Sequence, residues 1–304
     1  MKIDPRLFRF LWAIEEHGTF IRAARAEGIS QPALSSKIAI LEQQLGTKLI
    51  DRGRHGARLN SFGRLLLRHA RAIDAIVDRA AEEVRTSVEG SSGMLVLGGT
   101  PISMIEIIPK SLDQLVRQND NIRVSLVEAD DDILLDRLRA GEIELMLGGL
   151  LAGETGSDII ESPLVNFPLR AVIGRANKFW NRDAISLDEL LTQAWALPAS
   201  GSVIRSYVDA IFVNAGASVP ASHWSCSSMH GLKAVIQHTD RVTVMPGHAL
   251  DLEERTGVLK TLTLKGPTSN RRLNILRMRH LPLSPVAESF VTHVRRMAET
   301  IARR

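Results

Sequence analysis

From Thr19 to Leu45 the chain writes two helical stripes with almost no chain between them, and few folds accept that pattern. Thr19 stands where an N-cap belongs, ahead of Phe20-Ile21-Arg22-Ala23-Ala24-Arg25-Ala26-Glu27, and Gly28 offers the left-handed backbone that closes a helix. Ser30 caps the next helix, in which Pro32 is harmless because the amide it lacks would have had no helical partner. Along it Leu34, Ile38, Leu41 and Leu45 follow at steps of four, three and four, which leaves Gln31, Ala33, Ser35, Ser36 and Lys37 off the stripe. One face is core. The other carries amide, hydroxyl, methyl and ammonium groups with no carboxylate before Glu42, a chemistry suited to base edges and phosphates in a major groove. Upstream, Leu7, Phe10, Leu11 and Ile14 predict a helix that starts behind Asp4-Pro5 and ends near His17-Gly18. The short turn around Gly28 gives helix-turn-helix spacing. Beyond Gly46, residues Leu49 to Leu59 read as two short strands around a basic tip, a wing whose Arg52, Arg54 and Arg58 would grip phosphates. Spacing alone also fits three helices of a larger helical core.

The residues themselves narrow this. Gly18-Thr19-Phe20 with Ala23-Ala24, then Ser30-Gln31-Pro32-Ala33-Leu34-Ser35 with Ile38, Leu41-Glu42, Leu45-Gly46 and Leu49, and finally Arg52 and Leu59, closely resemble the DNA-binding domain of LysR-type transcriptional regulators. Departures are small: Ile50 stands where the family usually has Phe, Asn60 where it often has Thr, and Ser36 where a basic residue is common. The resemblance implies that Gln31, Pro32, Ala33, Ser35 and Ser36 face bases, and that Thr19, Lys37, Arg52 and Arg54 touch the DNA backbone. Charge agrees in direction. Residues 1–71 hold 13 Lys and Arg against 6 Asp and Glu, whereas residues 72–304 hold 25 against 28, so the whole positive excess is at the front.

From Asn60 to about Glu89 no proline intervenes, and Leu66, Ala70, Ile73, Val77, Ala80 and Val84 alternate steps of four and three. This heptad seam is too thin to cover a globular core and predicts pairing with a second copy of the helix; packing on the chain's own body is the alternative. In the resembled family this helix forms the dimer, and dimers pair into tetramers. Gly90-Ser91-Ser92-Gly93 then marks a hinge.

The remaining two-thirds alternates short apolar runs with helical patterns. Met94–Leu97, a helix near 105–118, Arg123–Val127, a helix near 133–140 and Leu145–Leu147 spell βαβαβ. A second set runs through Arg170–Ile173, helices near 187–191, 203–215 and 229–238, and strands at Ala194–Leu197 and Val242–Met245, while 272–278 and 285–296 return to the first lobe. This layout resembles the family's effector-binding domain, similar in fold to periplasmic solute-binding proteins. Together the readings predict an α/β chain with an N-terminal all-α winged helix-turn-helix (residues 1–60), a long linker helix and hinge (61–90), and a two-lobed periplasmic-binding-protein-like effector domain (91–304). Lobe I is expected at about 93–165 and 268–304, lobe II at about 166–267.

Ligands of open α/β sheets bind where strands end and helices begin. Thr100-Pro101-Ile102-Ser103 and Ser200-Gly201-Ser202 both stand at such places. With Gly148, Gly149 and Met245 they form the expected effector site, for a small anion, preferably a carboxylate. Cys226, Met229 and Phe167 are further lining candidates, and Arg205 would add charge. For each Ser or Thr an ordinary helix cap is the competing role. Asp130-Asp131-Asp132 is assigned to the dipole of the helix it opens.

Several classes fall away. One Cys, Cys226, makes no internal disulfide framework, and no Cys/His cluster has zinc spacing. No apolar run approaches the roughly 20 residues of a membrane span, and the Met1–Arg6 start does not read as a secretory signal, so a cytoplasmic protein without membrane partners is expected. No nucleophile elbow, phosphate-binding loop or His-Glu-x-x-His appears, and Gly98-Gly99-Thr100-Pro101 lacks the dinucleotide fingerprint. No cofactor and no enzymatic activity are expected. The expected function is a sequence-specific, effector-controlled DNA-binding regulator; a cytoplasmic solute-binding protein or a small-molecule enzyme using the same cleft is the alternative.

Overall fold

In the computed structural model, which describes residues 3–53, 56–88, 93–118, 121–149, 155–265 and 270–302, the chain opens with a 3-10 turn at Pro5–Leu7. The Asp4 carboxylate caps it by accepting from the Arg6 amide at 3.0 Å. Three helices follow: α1 (Phe8–His17), α2 (Phe20–Ala26) and α3 (Gln31–Leu45). Their ends are set by local chemistry. Gly18 closes α1 at φ 68°, Thr19 Oγ1 accepts from the Arg22 amide, and Ser30 Oγ accepts from the Ala33 amide.

A two-stranded hairpin, β1 (Ile50–Gly53) and β2 (Gly56–Leu59), pairs Ile50 with Leu59 and Arg52 with Ala57. Its tip, residues 54 and 55, lies outside the described residues. Gly56 is obligatory: its φ is 118°, and a Cβ there would stand 2.4 Å from the Gly18 carbonyl oxygen, which already accepts from the Ala57 amide. The first core joins Leu11 and Ile14, Ala23 and Ala24, and Leu34, Ile38 and Leu41 to Leu49 and Leu59 of the hairpin. Glu42 ties α3 to that hairpin, accepting from the Leu49 amide at 2.9 Å and from Lys48 Nζ at 2.6 Å. Burial pushes its carboxyl up, but these hydrogen bonds outweigh burial and hold it below the usual range.

The linker helix α4 (Ser61–Val88) starts where the Asn60 side chain accepts from the Gly63 amide at 3.0 Å. The structure divides the expected seam. Leu67 and Ala70 are buried in the winged-helix core, with Leu66 and Ile73 packed against it, whereas Val77 and Val84 are 60% and 66% exposed. The first turns of α4 therefore complete their own domain, and only the later turns offer an open stripe. The expected hinge at 90–92 is outside the described residues.

Contact clustering separates Met1–Arg85 with Arg139–Glu142 from a second unit, Thr86–Leu138 with Ile143–Arg304. That unit begins with β3 (Met94–Gly99), α5 (Pro101–Ile105), α6 (Ile107–Gln118), β4 (Arg123–Glu128), α7 (Asp131–Arg139) and β5 (Leu145–Gly148). β3 lies between β4 and β5, parallel to both. A single 16-residue strand, β6 (Ile159–Gly174), then leaves the first lobe and enters the second. The second lobe continues through β7 (Ala184–Ser186), α8 (Leu187–Leu191), β8 (Trp195–Pro198), α9 (Val203–Asn214), β9 (His223–Cys226), α10 (Met229–His238), β10 (Val242–Pro246), α11 (Asp251–Arg255) and β11 (Leu259–Lys265). β12 (Asn270–Met278) returns to pair with β5 and β6, and α12 (Pro285–Ala302) places Phe290 and Val294 in the first lobe's core.

The strand order is β4-β3-β5-β12-β6-β10-β8-β9, with β11 on β6 and β7. β6 pairs with β12 as far as Pro168 and with β10 from Leu169 onward, so one backbone belongs to both sheets. Trp195, Leu197, Phe212 and Val244 form the second lobe's core. No helix among the described residues is long and apolar enough to cross a membrane.

Candidate nucleic-acid interface and small-molecule cleft

On α3, Leu34, Ile38 and Leu41 are fully buried, while Gln31, Pro32 and Ser36 are exposed and Ala33, Ser35 and Lys37 are half-buried. The anchoring stripe thus leaves a polar, carboxylate-free face on the same two turns. Lys37 leans back so that Nζ sits 5.4 Å from the Phe10 ring centroid. Thr19 is half-buried and its hydroxyl serves the α2 cap. Arg52 lies on β1, but its side chain is outside the described residues, as is the whole of Arg54.

The second unit holds a cavity of about 60 Å³ between its lobes, lined by Thr100, Ile102, Asp130, Asp131, Ser202, Met245 and Arg271 among others. Helix beginnings surround it. Thr100 precedes α5, Asp130 and Asp131 open α7, Ser202 caps α9 by accepting from the Arg205 amide, and Ser228 caps α10 by accepting from the Gly231 amide. Amides of the first turn lack helical partners, so these places favour electron-rich groups. Apolar walls come from Pro198, Val203, Ile204, Met229 and Leu232, together with Cys226, whose thiol donates to the Ser228 carbonyl at 3.3 Å.

Sequence reasoning missed the polar floor of the cleft. Arg271 Nη2 pairs with Asp131 Oδ2 at 3.0 Å, and the two side chains are 2% and 4% exposed. Arg271 Nη1 donates to the Gly149 carbonyl at 2.8 Å, while the Gly149 amide donates to Asp131 Oδ1 at 2.7 Å. The guanidinium also lies over the Tyr207 ring, 5.2 Å from its centroid, so a first-lobe side chain touches a second-lobe helix. Asp131 therefore does more than answer a helix dipole. It is one half of a buried ion pair. Its neighbour Asp130 is pushed above the ordinary carboxylate value by burial and by Asp132 and Asp131, with Arg271 opposing.

Thr100, Ile102, Ser202 and Met245 thus line the cavity as expected from sequence, and five other candidates do not. Ser103 is buried, its hydroxyl donating to the Thr100 and Leu147 carbonyls. Gly148 and Gly149 stand behind the cavity wall, where a Cβ on Gly148 would meet Asp131 Oδ1 and the Gly149 backbone serves the ion pair. Ser200 and Gly201 form an exposed turn, Gly201 at φ 87°. Arg205 is withdrawn, giving Nη1 to the Pro198 carbonyl and Nε to Asp209. Phe167 belongs to the first lobe's core and stacks on His248, ring centroids 3.6 Å apart. Burial presses His248 down to about 4, against the opposing pull of Glu106.

Two family models match the chain: "Bacterial regulatory helix-turn-helix protein, lysR family" over residues 5–64 and "LysR substrate binding domain" over residues 89–299. Among curated relatives, the HTH-type transcriptional regulator GbpR of Azospirillum brasilense is 26% identical, covering 100% of this chain and 89% of the relative. Among solved structures, full-length CbnR bound to its target DNA superposes with a TM-score of 0.67 at 20% identity, over 97% of this chain and 99% of that one. A full-length OxyR variant from Pseudomonas aeruginosa gives a TM-score of 0.68 at 21% identity, over 97% and 95% of the two chains.

Proposed function

The chain belongs to the LysR family of transcriptional regulators, and from that premise we propose that it reads specific operator sequences through the α3 face opening with Gln31, under control of a small molecule held in the cleft. It is a DNA-binding regulator and not an enzyme, as the names of its relatives have it. A solute-binding protein sharing the two-lobed fold would have no use for the winged helix.

The observation carrying the DNA reading is that α3 is fixed by three fully buried leucine and isoleucine side chains while Gln31, Pro32 and Ser36 stay open. In this reading Gln31, Pro32, Ala33, Ser35 and Ser36 meet base edges, and Thr19, Lys37, Arg52 and Arg54 meet the backbone. Each base-reading side chain would contribute about 1–3 kcal/mol of discrimination, and the phosphate contacts would weaken steeply with salt. A mobility-shift assay on fragments upstream of the neighbouring genes tests it. The double variant Gln31→Ala/Ser35→Ala should lose the specific complex; equal affinity for every fragment would refute sequence recognition.

The protomers would pair through the open stripe of α4, since two winged helices on one scaffold gain by effective concentration, and by family analogy two dimers would associate. The cleft is read as the effector site, its ligand carrying a carboxylate toward the hydroxyls and free amides at Thr100, Ser202 and Ser228. Thr100→Val/Ser202→Val should abolish the ligand response while DNA affinity stays near that of the wild type; an unchanged response would move the site elsewhere. A ligand acts only by favouring one arrangement over another.

A further inference from the structure

Reading the cleft as an effector site leaves the ligand's charge open, and two lining side chains bear on it. Arg271 has both Nη atoms engaged, but its buried Nε has no hydrogen-bond partner among the described residues. Asp130 also lines the cavity, and its carboxylate makes no hydrogen bond or ion pair among those residues. The charged side chains of the lining are Asp130, Asp131 and Arg271. Once Arg271 and Asp131 have neutralised each other, Asp130 is the formal charge left over.

A simple carboxylate would enter beside that anion, at a range where like charges repel appreciably even in a partly wet site. It would find a donor in Arg271 Nε–H, yet no uncompensated cation. An amine alone would leave Nε–H and the helix beginnings at Ser202 and Ser228 without an acceptor, a costly outcome for buried polar groups. The remaining wall is aliphatic, with Ile102, Val203, Leu232 and Met245, and the volume of about 60 Å³ restricts the occupant to a small molecule.

We propose that the ligand of this cleft is a small zwitterion on an aliphatic frame, of the free α-amino acid kind, with Asp130 receiving its ammonium group and Arg271 Nε–H donating to its carboxylate. The assignment rests on the cleft being the effector site. It follows that neither charge alone suffices for tight binding.

Isothermal titration calorimetry on the full-length protein tests this with matched probes: L-leucine and L-valine, the same frames without the amine (4-methylpentanoate, 3-methylbutanoate), and the same frames without the carboxylate (3-methylbutylamine, 2-methylpropylamine). At least one amino acid should bind, and both of its single-charge counterparts should bind about tenfold or more weakly. Asp130→Asn, at an exposed position, should weaken the amino acid about tenfold and strengthen the acid. Acids equal to amino acids in the wild type, an unchanged preference in Asp130→Asn, or no binding by any probe would each overturn the zwitterion. Mobility shifts with the same probes separate the two ideas. An acid that binds and alters the DNA complex would preserve the effector role and discard the zwitterion; an amino acid that binds without altering it would do the reverse.

Discussion

Asp131 and Arg271 lie 140 residues apart in sequence and 3.0 Å apart in space, with almost no water contact. Removing one partner strands the other charge, so Asp131→Asn should cost about 3–5 kcal/mol in urea unfolding, and Asp131→Leu/Arg271→Met should recover much of that loss. Full recovery is not expected, because the Gly149 amide and carbonyl would both lose their partners. This pair also marks the limit of reading a site from sequence. Thr100 and Ser202 were legible because a hydroxyl before a helix is a local signal. Nothing local announces that an arginine on a returning strand will meet an aspartate on an early helix, and Asp130-Asp131-Asp132 reads as a helix start whether or not one member is buried. Ser200 and Ser202 carry the same signal as each other, and only backbone geometry decides which of them faces inward.

At the scale of elements, α3 was legible almost completely, because its stripe, cap and closing Gly46 agree. Leu34→Ala should destabilise the winged helix by about 2–5 kcal/mol, as measured by chemical unfolding, through the cavity it leaves beneath the exposed face. In α4 the same kind of periodicity misled. A stripe at steps of four and three looks alike whether it is covered by its own domain or by a second chain, and the first half of the seam proved to be the former. The double variant Val77→Asp/Val84→Asp should therefore shift sedimentation equilibrium from dimer toward monomer while leaving the winged-helix core folded; Ala70→Asp should unfold that core instead. Two strands escaped notice for different reasons. β9 carries His223-Trp224-Ser225-Cys226 at a sheet edge, with no apolar alternation. β11 does alternate through Leu262-Thr263-Leu264, and that short signal could have found it.

At the scale of the whole two-lobed unit, the lobes meet away from the cleft as well, where Phe167 of the first core stacks on His248 of the turn following β10. Folded His248 titrates near 4, against an ordinary value of 6.5. Between those values the unfolded chain takes up a proton that the folded one refuses, so stability is complete above about pH 6.5 and declines as pH falls toward 4, by roughly 3 kcal/mol in all. His248→Phe keeps a ring against Phe167 and removes the titration. The difference in denaturant midpoint between wild type and variant should widen as pH drops from 7 to 4, and a constant difference would exclude His248 as the source. The doubly connected architecture was legible as alternating strands and helices; the uninterrupted length of β6 was not, because Pro163 and Pro168 argue locally against a single strand.

That length has a mechanical corollary. With β6 hydrogen-bonded to β12 up to Pro168 and to β10 immediately after, there is no slack loop on this strand for the lobes to swing about. Any rotation must be absorbed as torsion along a pleated ribbon, in the way a leaf spring stores deflection. Angular travel is then graded by the size of what lies in the gap, and a bulkier occupant would yield a proportionately different setting of the two halves.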